Sequence, residues 1–178
     1  MASVEERRGN GLGGNRSSLA ESISILSGSD LTRIQDESIL RYVAKYSRNI
    51  SSRRKAISEL IKMNRVDILE YLAFTSDFDE TKKLAILGLS RLSCIDALKR
   101  VIRSGDDRLI PTACSGLAKN IDVAIRRGDS EALEMISKFS RSQRQRKEAY
   151  VWLKKMSVIK KIWDIEKRAN HNSTHRPA

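Results

Sequence analysis

A ten-residue pattern occurs four times in this chain and constrains its fold more than any other feature. The four segments begin at Arg54, Lys83, Pro111 and Lys147. Each carries an alanine (Ala56, Ala85, Ala113, Ala149), a leucine four residues on (Leu60, Leu89, Leu117, Leu153) and a basic residue two further (Lys62, Arg91, Lys119, Lys155). At about 100° per residue the alanine and leucine share one helix face, and the cation falls roughly 240° from the alanine, on the outer side. The spacing therefore predicts four amphipathic helices whose leucines are buried and whose cations are exposed. Gly88 and Gly116 occupy matching positions in two of the copies. Glycine inside a helix costs about 1 kcal/mol relative to alanine, so both positions predict close approach of a neighbouring helix.

A second apolar helix follows the first after a very short joint. Val66, Leu69 and Leu72, then Ile95, Leu98 and Val101, then Ile159, Ile162 and Ile165 carry the helical period. Asn64, Ser93 and Ser157 occupy equivalent joints, with Asn120 one residue early, and are read as helix N-caps. Asn64 with Asp67 and Ser93 with Asp96 resemble capping boxes, with Asp in place of Glu. No stretch alternates apolar and polar residues long enough to argue for a strand. The prediction is an all-α fold with helices over 36–47, 53–63, 66–75, 80–92, 95–103, 107–126, 130–139 and 143–168, the last broken near Ser157. Residues 1–18 are read as a flexible Gly/Ser/Asn-rich tail, 19–169 as a helical-repeat domain, and 170–178 as a disordered tail.

Paired helices of this length, spaced by about thirty residues, resemble HEAT-type repeats over residues 51–168. The resemblance implies helix pairs stacked as a short solenoid. The third unit departs from the pattern, because 121–127 is short and 131–139 adds another helix. An irregular compact helical bundle is the alternative architecture.

Composition narrows the function. The 178 residues carry 34 Lys+Arg against 22 Asp+Glu, a formal net charge of +12. A surplus of this size speaks to partners and not to fold, and polyanions are the obvious ones. Of two prolines only Pro111 lies in the body, so the chain can be helical almost throughout. Cys94 and Cys114 sit among apolar residues and read as small core residues in a reducing compartment, with no disulfide framework or zinc pattern. With no apolar run of signal-peptide or membrane-spanning length, a cytoplasmic or nuclear setting and no membrane partner are expected. The sequon at Asn172 is read as chance. The glycines at 9–14 lack the Lys-Ser/Thr and the preceding strand of a phosphate loop.

Catalytic equipment is sparse. His171 and His175 are the only histidines and lie near the C-terminus, so the body offers no imidazole base or metal ligand. Asp77, Asp79 and Glu80, and likewise Asp106 and Asp107, read as helix-start carboxylates favoured by the macrodipole and not as a cation site. Some HEAT-like proteins excise bases, which requires an acid in an aromatic cleft. Asp164 beside Trp152, Trp163 and Tyr150 is the one candidate for that remote alternative. No cofactor and no enzymatic activity are expected.

The basic residues are concentrated. One cluster runs from Arg41 to Lys62 and another from Lys138 to Arg168. Arg53-Arg54, Lys82-Lys83 and Arg146-Lys147 recur at the start of the repeated first helices. Cations there oppose the macrodipole by a few tenths to about 1 kcal/mol, and a phosphate backbone crossing the helices supplies a reason for them. The candidate nucleic-acid-binding residues are Arg53, Arg54, Lys62, Lys82, Lys83, Arg91, Lys119, Arg144, Arg146, Lys147, Lys154 and Lys155, all read as lying on an outer face. Aromatics make up 5% of the chain, which argues against base stacking and for backbone contact with a duplex, RNA slightly preferred over DNA. The rival reading is a protein-interaction scaffold presenting a groove to a peptide or helix.

Overall fold

The computed structural model describes residues 36–173, with side chains described through 167. The expectations placed on 1–35 and 174–178, and on the side chains of 168–173, lie outside the described residues. Among the described residues the chain forms nine helices and no strand: α1 (Glu37–Tyr46), α2 (Ile50–Lys62), α3 (Val66–Thr75), α4 (Asp79–Arg91), α5 (Ile95–Arg103), α6 (Ile110–Lys119), α7 (Ile121–Arg127), α8 (Ser130–Phe139) and α9 (Gln143–Ser173). The fold is all-α, as the apolar spacing predicts.

Three local expectations are corrected. The helix expected over 107–126 is two helices, because Asn120 leaves helical geometry at φ −106° and ψ 24°. Its side chain amide is drawn out of the helix to donate to the carbonyls of Ser90 (2.9 Å) and Gly116 (2.8 Å). The break expected near Ser157 does not occur, and α9 runs through it. Asn64 and Ser93 are not N-caps. Both adopt left-handed backbone at φ 55° and close the preceding helix. The Asn64 N–H reaches the Ile61 carbonyl and the Arg65 N–H that of Leu60; Ser93 and Cys94 repeat this with Ser90 and Leu89. This is a Schellman ending, which needs a residue tolerant of positive φ, and a short polar side chain serves when glycine is absent. Arg65 and Cys94, the residues preceding α3 and α5, make no side-chain cap.

Each helix packs on its sequence neighbour and on the helix two along. α2 lies against α4, α4 against α6 and α6 against α8, while α1 lies against α3 and α3 against α5; α5 also meets α8, three along. The glycine positions explain the close spacing. A Cβ on Gly88 would stand 2.9 Å from Ile61 Cγ1, and one on Gly116 would stand 2.9 Å from Ser90 Cβ. Ile61 and Ser90 occupy the same place in their own copies of the pattern, so one contact geometry is used twice. In the fourth copy Trp152 stands at the glycine position. α9 packs mainly on α8.

Polar contacts between elements follow the same period. Lys45–Tyr71, Arg54–Glu80, Arg100–Glu70, Arg103–Glu131, Lys99–Asp129, Ser93–Asn120 and Arg108–Asp79 each join residues 26 to 30 apart. Leu60, Leu89 and Leu117 are fully buried. Leu153 is only half-buried, because α9 soon leaves the body.

Candidate nucleic-acid interface

The recurring cations at the helix starts divide into two kinds. Ser47, Ser76 and Ser140 are buried residues ending α1, α3 and α8. In each, Oγ accepts the N–H two residues on, from Asn49 (3.2 Å), Phe78 (3.3 Å) and Ser142 (3.2 Å). Six residues after these serines come Arg53, Lys82 and Arg146. Arg53 Nη1 donates to the Ser47 carbonyl at 2.8 Å and the Arg48 carbonyl at 3.1 Å. Arg146 Nη1 donates to the Ser140 carbonyl at 2.7 Å. Arg53 and Arg146 therefore tie off the C-terminal end of the preceding helix, where their charge is favoured. This is a structural reason for the recurrence, in place of the phosphate track invoked for it.

Arg53 is the sharpest correction. Expected on the outer face, it is 5% exposed, and its guanidinium stacks 4.0 Å from the centre of the Phe78 ring. Nη1 is taken by two carbonyls, the Phe78 ring covers one face, and Nε is buried without a hydrogen-bond partner, so the group is not presented at the surface to a phosphate. The six-residue spacing Ser47–Arg53 and Ser140–Arg146 was the sequence signal for this role.

The remaining candidates are at or near the surface in differing states. Arg54 is exposed but paired with Glu80 (Nε–Oε1 3.0 Å). Lys62 is exposed and paired with Glu59 on its own helix at 2.8 Å. Lys82 is half-buried. Lys83, Arg91, Lys119, Arg144 and Lys147 are exposed, and among the described residues none of them has an ion-pair partner. Lys154 and Lys155 are exposed, with their ammonium groups over the rings of Tyr150 (4.9 Å) and Trp152 (4.6 Å). Arg91, Lys119 and Lys155 match the exposure expected from the repeat. By contrast, the cations of α5 are consumed: Lys99 reaches Asp129 at 2.7 Å, Arg100 holds Glu70 and Arg103 holds Glu131.

An open groove of about 490 Å³ gathers part of the unpaired set. Lys83 and Leu87 enter it from α4, Pro111, Thr112 and Ser115 from α6, Arg108 from the turn before α6, and Arg141 from the turn before α9. No carboxylate lines it. Arg108 is partly neutralised by Asp106 (3.1 Å) and Asp79 (3.3 Å); Arg141 has no ion-pair partner among the described residues. The groove thus offers two unpaired cations, a third already held by carboxylates, and two hydroxyls, a donor-rich wall suited to phosphate oxygens. Of these residues the sequence reading selected only Lys83. Arg108 sits in a carboxylate-rich joint that masked it, and Arg141 was one of many cations in its cluster. Three separate elements meet here, which spacing along the chain does not reveal.

Other chemistry is thin among the described residues. No group of three His, Cys, Asp or Glu side chains is placed to hold a metal ion, and no helix is long and apolar enough to cross a membrane. Burial pushes the Cys114 thiol up to about 11, and burial likewise raises that of Cys94. Asp164 and Trp163 are both exposed on α9, and no cleft encloses them. Comparison with known proteins finds no matching family model, no matching curated protein and no matching solved structure.

Proposed function

We propose that this protein is a non-enzymatic nucleic-acid-binding module, RNA preferred, whose helix pairs stack in HEAT-like fashion and carry a basic groove for the phosphate backbone. The observation that carries this reading is the groove itself: Lys83, Arg108 and Arg141 converge from three elements with no carboxylate in the lining. Arg108 is held by Asp106 and Asp79, but Lys83 and Arg141 have no ion-pair partner among the described residues, and unpaired cations that a fold keeps together repel one another and are relieved by a polyanion. Arg91, Lys119, Arg144 and Lys147, exposed and without ion pairs among the described residues, extend the positive surface along α4, α6 and α9. The stacking is supported by the recurring separation of 26 to 30 residues in the polar contacts and by the twice-used glycine contact. Arg53 is left out of the interface because it is buried.

The test is a salt titration of binding to duplex and single-stranded RNA and DNA, for the wild type and for Lys83→Ala/Arg141→Ala. Phosphate contacts act through counterion release, so wild-type affinity falls steeply with salt and depends little on sequence. The double variant is expected to bind more weakly and to flatten the log–log salt slope by about one unit per lost contact. An unchanged slope with unchanged affinity removes the groove from the interface. Absence of binding at physiological salt sinks the whole reading and leaves the scaffold rival.

A further inference from the structure

Among the described residues, nothing covers residues 157–167 of α9. Residues 157–167 are all exposed, and among them are Val158, Ile159, Ile162, Trp163 and Ile165, each half or more accessible. Leaving five large apolar side chains on one free helix is costly unless something covers them.

The order of those residues says what fits. Val151, Val158 and Ile165 recur at intervals of seven, with Lys155 and Ile162 four residues after the first two. This is the alternating four–three spacing of a coiled-coil seam, with Val151, Val158 and Ile165 at d and Lys155 and Ile162 at a. On a helical projection the seam lies roughly 150° from the side formed by Ala149, Trp152, Leu153 and Met156. Ala149 is buried and the other three are half-buried against the body. The seam therefore faces away from the molecule, and a second helix can lie along it without meeting the chain's own body.

Charge selects the second helix. Lys154 and Lys161 take the g positions flanking the seam, and Glu166 takes an e position. In a parallel pair, g of one strand faces the following e of its partner, so each Lys161 meets the other copy's Glu166. An antiparallel pair sets g against g and brings lysines together. Lys155 at a requires its ammonium to reach water, which a two-stranded seam allows and a closed multi-stranded core resists.

We propose that the occupant is a second copy of this chain, joined as a parallel two-stranded coiled coil along the Val151–Val158–Ile162–Ile165 face of α9. The two bodies then lie on opposite sides of the joined helices.

The test is the mass of the full chain in solution, by light scattering and sedimentation, from low micromolar to several hundred micromolar. The wild type is expected to pass from monomer to dimer as concentration rises. Ile162→Asp/Ile165→Asp is expected to stay monomeric with unchanged helical circular dichroism, since both residues are solvent-facing in the monomer. Lys161→Glu and Glu166→Lys alone are each expected to raise the dimer dissociation constant roughly ten-fold, and an equimolar mixture of the two to restore association as a heterodimer. A wild type that stays monomeric throughout, with the face covered instead by another partner or by the chain's own first 35 residues, overturns the proposal. So does a dimer that survives the double Asp variant, a trimer, or a mixture that associates no better than its components.

Discussion

Arg53 and Arg54 are adjacent, carry the same side chain, and do different work. Arg53 is turned inward, where it caps two carbonyls and covers Phe78. Arg54 is exposed and meets Glu80. Removing Arg53 leaves the end of α1 without its donor and Phe78 without its cover, so Arg53→Ala is expected to destabilise the fold by about 2 kcal/mol. Arg54→Ala loses an exposed ion pair and is expected to cost under about 0.5 kcal/mol. Urea denaturation of the two variants measures both. Equal effects would show that the buried carbonyl contacts contribute no more than the surface pair. A phosphate-track role predicts the reverse emphasis, with both residues silent in stability and active in binding. In sequence only the six-residue spacing from Ser47 distinguishes them, because one residue of offset, 100° of helix, decides which faces the joint.

At the scale of elements, the helices approach most closely where the pattern replaces a larger residue by glycine. Gly88→Ala puts a Cβ within 2.9 Å of Ile61 Cγ1 and 3.3 Å of Leu69 Cδ1. Overpacking of this kind costs about 1–3 kcal/mol, against about 1 kcal/mol gained in helix propensity. The expected result is a net loss of about 1 kcal/mol, measured by chemical denaturation. In an Ile61→Ala background the clash is gone, and the same Gly88→Ala change is expected to become neutral or stabilising. A Gly88→Ala penalty of the same size in both backgrounds would mean that the glycine is not there for Ile61. The glycines were legible in sequence as close-approach sites, but their partners were not. Ile61 and Ser90 come from the preceding helix pair, and nothing local to Gly88 or Gly116 names them.

At the scale of the whole molecule, the clearest polar tie inside the body is Lys99. It is 8% exposed and holds Asp129 at 2.7 Å, with Asp96 at 3.1 Å. Burial opposes its charge, but the bonds to Asp129 and Asp96 outweigh that and raise its pKa. Burial likewise works against the Asp129 carboxylate, yet its bonds to Lys99 and the Ala132 N–H hold it below the ordinary carboxylate range. A carboxylate with a lowered folded pKa stabilises the fold above its unfolded value, near 4, and that contribution is lost as pH falls through the lower folded value. A lysine with a raised pKa contributes below its ordinary value of 10.5 and loses that contribution as pH rises through its folded one. Stability is thus expected to be level in this respect across neutral pH and to fall at both extremes. Lys99→Met strands the half-buried Asp129, is expected to cost about 1–3 kcal/mol at pH 7, and should flatten the acid limb. Thermal unfolding from pH 2 to 8 checks it, and an acid limb unchanged in the variant would rule out the pair as its source.

What the sequence determined by itself was the helical content and the register of the buried face. Leu60, Leu89 and Leu117 are fully buried, and Arg91, Lys119 and Lys155 are exposed, because a period of 3.6 residues fixes the relative orientation of side chains within one helix. The tertiary structure decided whatever depends on two or more helices. It alone showed that Asn120 breaks a helix to bind Ser90 and Gly116. It alone turned Arg53 inward and brought Lys83, Arg108 and Arg141 to one groove. The physical reason is range. Apolar periodicity is written in residues three and four apart, whereas the polar ties between helix pairs join residues 26 to 30 apart and the groove gathers residues from three elements, whose meeting is set by how one helix pair rests on the next.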